Sequence, residues 1–147
     1  MFRWHQLPPR ASCGQRRPKA GTGILKTRHL SPCEGRLRLG DPRGTLEWGE
    51  TIRELIPREL PEEAGVRVRS IGRLVGVYSR PDRDVRFHGV TIVVTCEVDL
   101  PHQPPMNLLE IREVGLFADA DVPLELGVGT GDMLEAARRG AVDPVIE

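Results

Sequence analysis

Three glutamates in the middle of the chain have the spacing of one helix face. Glu59, Glu62 and Glu63 occupy positions i, i+3 and i+4 of a predicted helix, so their side chains project from one side and lie close together. Like charges at this spacing repel by roughly 0.2–0.5 kcal/mol per pair, and Arg58 offsets only part of that. Such a cluster is a candidate site for Mg²⁺, which takes oxygen ligands and keeps several waters. Taken alone, three glutamates are more often an exposed acidic helix face.

The residues around these glutamates favour the first interpretation. From Gly44 to Val66 the sequence matches the pattern G-x5-E-x7-R-E-U-x-E-E-x-G-U, where U is a bulky aliphatic residue. A chance match is negligible, since each amino acid fills roughly one position in twenty. This pattern is the Nudix box, and the sequence therefore resembles the Nudix hydrolases. The nine specified positions are Gly44, Glu50, Arg58, Glu59, Leu60, Glu62, Glu63, Gly65 and Val66.

The resemblance implies a role for each charged residue of the box. Glu59, Glu62 and Glu63 are expected to ligate Mg²⁺ or Mn²⁺, and Glu50 to help hold the metal or a water. Arg58 is expected to orient the carboxylates through charge-assisted hydrogen bonds. Divalent ions neutralise a pyrophosphate and lower the pKa of the attacking water. One carboxylate could also act as the general base, and the pattern leaves its identity open.

Four residues are expected to contact the substrate. Gly44 lets the backbone approach a metal or phosphate closely, and Arg43, at a position where many family members have glycine, could contact a phosphate or clash with a tight turn. Pro81 follows Gly65 by 16 residues, a spacing that resembles the ADP-ribose pyrophosphatase subgroup, although a hairpin-turn proline fits equally well. Arg80 beside it could bind phosphate, whereas a turn arginine is more often solvent-facing.

Further candidates lie outside these positions. Glu110 or Glu113 could supply an additional ligand or base, and a surface carboxylate is the common alternative for each. Aromatic residues make up only 4% of the chain, so most candidates for stacking on a base are expected to pack in the core instead. These candidates are Trp48, Tyr78, Phe87 and Phe117.

Two prolines depart from a regular helix inside the box. Pro57 and Pro61 each remove a backbone donor and can cost about 3 kcal/mol in a helix interior. Both occupy variable positions of the pattern, so we expect a kinked helix that retains its ligands. Together with Arg43, they leave open a non-catalytic Nudix-fold module that binds nucleotides or a partner.

The elements that must position these residues alternate between helix and strand. A helix is predicted over residues 52–64, with Thr51 and Glu54 as a capping box and Gly65 as its end. This order predicts an α/β class, and the resemblance implies the Nudix α/β/α sandwich with a mixed β-sheet. The remaining predictions are strands within 19–28, 36–39, 66–77, 85–98 and 114–117, the third and fourth pairing antiparallel, and a Thr130-capped helix over 131–139 that stops at Gly140.

Length and charge limit the organisation of the chain. It has 147 residues, 21 basic and 21 acidic, yet its first 33 residues hold seven basic and no acidic residues. We expect a basic, proline-containing tail or arm at residues 1–18, without helix or strand, and a Nudix hydrolase domain at residues 19–147. No apolar run reaches membrane-spanning length. Three cysteines without a paired spacing predict a reducing compartment, the cytoplasm.

The leading hypothesis is divalent-metal-dependent hydrolysis of the pyrophosphate bond in a nucleoside diphosphate derivative, such as ADP-ribose or a related nucleotide sugar. A (d)NTP pyrophosphohydrolase and a non-catalytic nucleotide-binding or interaction module are the alternatives. The expected partner is a small-molecule nucleotide, with no membrane and no nucleic acid. A homodimer is expected by resemblance only.

Overall fold

The computed structural model describes residues 2–4, 23–30, 37–83, 88–106, 108, 111–122, 126–127, 129–140 and 143–147. The strands in this part of the chain are β1 (Phe2–Trp4), β2 (Gly23–Leu30), β3 (Leu37–Gly40), β4 (Val68–Tyr78), β5 (Thr91–Val98), β6 (Ile111–Ala118) and β7 (Val145–Ile146). The α-helices are α1 (Ile52–Ala64) and α2 (Thr130–Arg139), and single 3₁₀ turns cover Pro81–Arg83 and Asp119–Asp121.

The strands form one mixed sheet. Its order is β3-β2-β1-β5-β4-β7, with β6 paired to β2 outside this path. Strand β6 follows β2 along its whole length, while β1 pairs with the start of β2 and β3 with its end. Since a strand has two edges, β1 and β3 share the edge opposite β6. The pairs β1–β5 and β4–β7 are parallel and the others antiparallel, so the predicted mixed sheet is confirmed.

The two helices cover opposite faces of this sheet. Side chains alternate along a strand, and on β5 Cys96 and Val98 join the cluster around α1, whereas Val93 joins the cluster around α2. Helix α1 contributes Ile56, Leu60 and Ala64 to the first cluster, and α2 contributes Met133 and Ala136 to the second. The sandwich of helix, sheet and helix agrees with the predicted α/β class.

Helix α1 has the predicted boundaries. The Glu54 carboxylate accepts hydrogen bonds from the Thr51 N–H at 2.8 Å and from the Thr51 hydroxyl at 2.7 Å. At the other end Gly65 has φ +62°, and its N–H donates to the Pro61 carbonyl at 3.0 Å. The helix continues without interruption through Pro57 and Pro61. The start, the end and the cap were therefore readable from local residue types.

Four sequence-based predictions need correction. Residues 2–4 form β1, although no strand was expected in the first 18 residues, because β1 is held by pairing with distant strands rather than by a local pattern. Strand β5 begins at Thr91 instead of residue 85, and residues 84–87 lie outside the described part. Gly129, with φ +75°, caps α2, and the buried Thr130 is its first residue. Strand β7 was not predicted.

The remaining strand predictions agree with the structure. The antiparallel pairing of β4 with β5 is confirmed, and β2, β3 and β6 each overlap their predicted ranges. Residues 5–22 lie outside the described part, so the predicted tail and the domain boundary at residue 19 stay predictions.

Replacing Gly65 with alanine is expected to destabilise the protein. A Cβ would be strained at φ +62° and would overlap the backbone carbonyl of Gln103, at a cost of about 2 kcal/mol or more. Thermal unfolding should show a lower melting temperature for Gly65→Ala. Gly131→Ala is the matched control, because a Cβ there meets nothing within 4 Å and alanine favours a helix. Equal melting temperatures for the two variants would contradict this account of the helix end.

Candidate active site

The Arg58 guanidinium connects the loop before α1 to the helix itself. Its Nε donates to Glu50 Oε1 at 2.7 Å and its Nη2 to Glu50 Oε2 at 2.8 Å, which is a bidentate ion pair. Nη1 donates to Glu59 Oε1 at 2.7 Å, and Nη2 also donates to the Thr45 carbonyl at 3.1 Å. Such fork geometry fixes both distance and orientation. One arginine therefore holds Glu50, Glu59 and the loop backbone together.

These contacts shift the pKa of both partners away from neutral pH. The hydrogen bonds from Arg58, followed by the one from the Glu47 N–H, lower the pKa of Glu50 to about 2. The hydrogen bond to Glu50 raises the pKa of Arg58 above its ordinary value, with a smaller contribution from Glu59. Glu50 is therefore ionised at neutral pH with both oxygens occupied by donors.

Gly44 packs directly against Glu59. A Cβ at this position would overlap Glu59 Cγ and lie 2.8 Å from its Oε1. Because the nearest atom is Cγ, turning the carboxylate alone would not relieve the overlap. The glycine is thus required by the side chain of Glu59, a reason that sequence reasoning did not consider.

The backbone of the same loop holds a second carboxylate. The Arg43 N–H donates to Glu63 Oε2 at 2.6 Å, and the Arg43 side chain is exposed. Arginine is thus accommodated where many family members have glycine. The loop and the helix enclose an open cleft of about 550 Å³, lined by Arg43, Gly44, Thr45, Glu47, Glu59 and Glu63.

The cleft contains two of the three predicted metal ligands. Glu59 and Glu63 line it, whereas the exposed Glu62 does not. Residues four apart lie nearly above one another on a helix, while Glu62 is rotated by about 100° from Glu63. Among the described residues, no group of three or more His, Cys, Asp or Glu side chains is placed to hold a metal ion. Two carboxylates nevertheless fit Mg²⁺, which binds proteins through one or two carboxylates and completes its shell with water and phosphate.

Other predicted site residues lie elsewhere. Arg80 and Pro81 do not line the cleft. The Arg80 Nε lies 3.2 Å from Asp82 and 3.4 Å from Glu147, and Pro81 begins a 3₁₀ turn. Glu113 is an exposed residue of β6. Glu110 lies outside the described residues, so its role stays a prediction.

Two loop residues of the cleft were missed by sequence reasoning. Thr45 accepts from Arg58 through its carbonyl, and the Glu47 N–H donates to Glu50 Oε2 at 3.0 Å. Both occupy variable positions of the Nudix box, and the hydrogen bonds described here are made by their backbone. The fixed length of the segment between Gly44 and Glu50 in the Nudix box was the sequence feature that could have indicated a backbone role for these two residues.

Comparisons with known proteins identify the family and the fold. A family model described as the NUDIX domain matches residues 8–139. The chain therefore belongs to the NUDIX family, and the resemblance seen in the box is confirmed. The predicted enzyme class, the Nudix hydrolases, agrees with this family.

Individual relatives refine the comparison. An ADP-ribose pyrophosphatase from Methanocaldococcus jannaschii is 41% identical over 75 residues, which cover 51% of this chain and 43% of that protein. The chain thus spans less than half the length of this relative. The crystal structure of a MutT NUDIX hydrolase from Burkholderia pseudomallei has a TM-score of 0.64 at 26% identity, covering 78% of this chain and 87% of that chain.

A further similar structure shows the fold alone. The NUDIX domain of Shewanella oneidensis NrtR, complexed with ADP ribose, has a TM-score of 0.63 at 20% identity and covers 81% of this chain and 77% of that one. The predicted sandwich fold is therefore shared with solved NUDIX structures.

Gly44→Ala is expected to displace the Glu59 side chain. Overpacking of this kind costs about 1–3 kcal/mol, so the melting temperature should fall by several degrees. In a Glu59→Ala background the same substitution should cost almost nothing, because the atom it overlaps has been removed. The double-mutant cycle measures this difference directly. Additive effects would show that the two residues are not in contact.

A second group of ion pairs, formed by Arg83 with Glu147 and Asp132, should make the stability of the protein depend on pH. Arg83 donates to Glu147 and Asp132, which lowers the pKa of Glu147 to about 2 and also lowers that of Asp132. A depressed carboxyl pKa adds stability above the unfolded-state value, and this stability is lost as the pH falls through the folded-state value. Unfolding of Arg83→Gln should therefore differ most from wild type above about pH 5 and converge with it near pH 2. A constant difference across this range would contradict the assignment.

Proposed function

We propose that the chain hydrolyses the pyrophosphate bond of a nucleoside diphosphate derivative, with ADP-ribose or a related nucleotide sugar as the substrate class, in a reaction that depends on a divalent metal. The observation that supports this most directly is the convergence of Glu59, Glu63 and Arg43 on one open cleft. The 41% identity to a protein named ADP-ribose pyrophosphatase favours the substrate class.

Each residue of the cleft has a separate task in this proposal. Glu59 and Glu63 hold Mg²⁺ or Mn²⁺, which, when bound, neutralises phosphate charge and activates the attacking water. Arg58 keeps Glu59 in place through the 2.7 Å ion pair. Because the Glu59 side chain is already ordered, it loses less conformational entropy when the metal binds. The exposed guanidinium of Arg43 and the backbone at Gly44 contact the phosphates.

The protonation of Glu50 limits its role. Its pKa of about 2 and its two occupied oxygens make it a weak proton acceptor at neutral pH, since efficient general bases have a pKa near the working pH. We therefore propose that Glu50 positions Arg58 and the loop rather than removing the proton from water. Glu62 as a third ligand and Glu110 as a base from outside the box stay predictions, as does phosphate binding by Arg80 and Pro81.

The non-catalytic alternative is weakened by the geometry of α1. Pro57 and Pro61 were the main reasons to doubt catalysis, yet the helix is continuous through both. The Arg43 backbone donates to Glu63 without loss of the cleft. The (d)NTP pyrophosphohydrolase alternative differs only in substrate and is separated by assay.

The proposed setting follows the sequence expectations. Cys96 is a free and buried thiol whose pKa is raised by that burial to about 11, which is compatible with the proposed reducing cytoplasm. In the described part of the chain no helix is long and apolar enough to cross a bilayer. A small nucleotide as partner and a homodimer complete the proposal.

The assay compares turnover of ADP-ribose, nucleotide sugars, dinucleoside polyphosphates and dNTPs with and without Mg²⁺. Glu59→Gln and Glu63→Gln remove a charge with little change of shape, and each should lower kcat/KM by about 100-fold or more, as the loss of a stabilised charge in a transition state does. Glu135→Gln is the matched control, because Glu135 is an exposed carboxylate on α2.

The outcomes separate the alternatives. Preference for ADP-ribose or a nucleotide sugar supports the proposal, and preference for dNTPs supports the second enzyme. Nucleotide binding without turnover of any compound would assign the chain to the non-catalytic class. Turnover that survives both Gln substitutions would remove Glu59 and Glu63 from the metal site.

A further inference from the structure

The four aromatic residues considered for base stacking have different environments. Tyr78 is buried, with only 2% of its surface exposed, and packs in the core near α2. Phe117 is partly buried, and Phe87 lies outside the described residues. Trp48 is fully exposed, at 105% of the reference value. Among the aromatic residues whose burial the structure describes, Trp48 is thus the one whose ring remains available to a ligand.

The backbone that presents Trp48 is a closed turn. The Glu50 N–H donates to the Glu47 carbonyl at 3.1 Å, and Gly49 has φ +83°, as the third position of a type II turn requires. The Glu47 N–H donates in return to the Glu50 carboxylate at 3.0 Å. Two hydrogen bonds therefore close the four residues around Trp48.

This turn is fixed relative to the cleft. Glu50 is held by two hydrogen bonds from Arg58, which also binds Glu59 in the cleft. Glu47, the residue before Trp48, itself lines the cleft. Trp48 therefore follows a residue of the cleft wall directly in sequence. Its turn is connected through Glu50 and Arg58 to Glu59, a proposed metal ligand.

Exposure of this ring to water has a cost that a ligand would remove. A tryptophan can bury roughly 150–250 Å², and removing apolar surface from water is favourable. Isolated exposed apolar residues are common and need no explanation. Trp48 differs from them because a hydrogen-bonded turn holds it next to Glu47, which lines a cleft with an exposed arginine and three carboxylates.

We propose that Trp48 is a stacking platform for the base of a nucleotide whose phosphates occupy the cleft. This inference rests on the proposed function and adds a determinant of substrate class. Arg43 and Trp48 belong to the same loop, so the loop contacts phosphate at its start and base near its end. Stacking tolerates every base because each has a π-face, so Trp48 selects a nucleoside over a sugar phosphate and distinguishes little among bases.

Fluorescence tests the contact without relying on turnover. The chain has two tryptophans, so Trp4→Phe leaves Trp48 as the single indole; its melting temperature should first be shown to equal that of wild type. Titration with AMP in the presence of Mg²⁺ should quench the emission in a saturable manner. Ribose 5-phosphate, which lacks the base, should not. Equal responses to the two compounds, or no response to AMP, would overturn the inference.

Steady-state kinetics test the consequence for the substrate. Trp48→Ala should raise KM for the best substrate about tenfold, with a smaller effect on kcat, because the base loses its stacking contact with the aromatic side chain. Trp48→Phe should recover most of the affinity. Val90→Ala is the control for loss of an exposed apolar side chain, since Val90 is 64% exposed and does not line the cleft.

Failure of this inference is distinguishable from failure of the proposed function. If wild type turns over a nucleotide and Trp48→Ala has an unchanged KM, the stacking role is wrong and the hydrolase remains. If wild type turns over nothing, the proposed function fails, and the AMP titration still decides the role of Trp48. A change of oligomeric state in Trp48→Ala, measured by sedimentation with KM unaltered, would assign the ring to a contact between copies and overturn the inference.

Discussion

The contacts of one guanidinium determine the form of the site. Arg58 donates to Glu50 with two nitrogens, to Glu59 with a third contact and to the Thr45 carbonyl with a fourth. A lysine could supply the charge but not the planar fork that reaches three acceptors in fixed directions. Arg58 therefore ties the loop between Gly44 and Glu50 to helix α1, together with the hydrogen bond from the Arg43 N–H to Glu63. The Glu59 side chain that packs against Gly44 and the Glu50 side chain that ends the turn at Trp48 are both held by Arg58.

The same interaction resolves the electrostatic problem that the sequence poses. Four glutamates of the box would repel one another if they were equivalent, but the structure divides them. Glu50 is paired with Arg58, Glu59 shares that arginine, and Glu63 accepts the Arg43 N–H. Glu62 is exposed to solvent, where repulsion is screened. The negative charge of the box carboxylates is thus partly compensated locally before any cation binds.

Several features that depend on interactions between neighbouring residues were predicted correctly from the sequence, whereas several that depend on distant residues were not. Helix α1 was predicted at both ends because Thr51, Glu54 and Gly65 act on neighbouring residues. Strand β1 was missed because Phe2–Trp4 is held by β2 and β5, whose registers no local pattern reveals. In the site, carboxylate types and spacing were readable, but the hydrogen bonds of Thr45 and Glu47 were not, since the backbone makes them. The spacing did not show that Glu59 and Glu63 line the cleft while Glu62 does not, since this depends on which helix face meets the loop.

Helix α1 remains continuous despite its two prolines because its apolar face is buried in the core. Each proline can cost about 3 kcal/mol in a helix interior, and burial of a large aliphatic side chain returns about 1.5–3 kcal/mol. Ile56 and Leu60 precede the two prolines and are almost fully buried, with Ala64 one turn further. The core therefore holds the helix along the face that the prolines do not interrupt. Glu59 and Glu63 directly precede Leu60 and Ala64, so packing of the apolar residues sets the direction in which the carboxylates project. Burial of this face thus positions the two carboxylates that line the cleft.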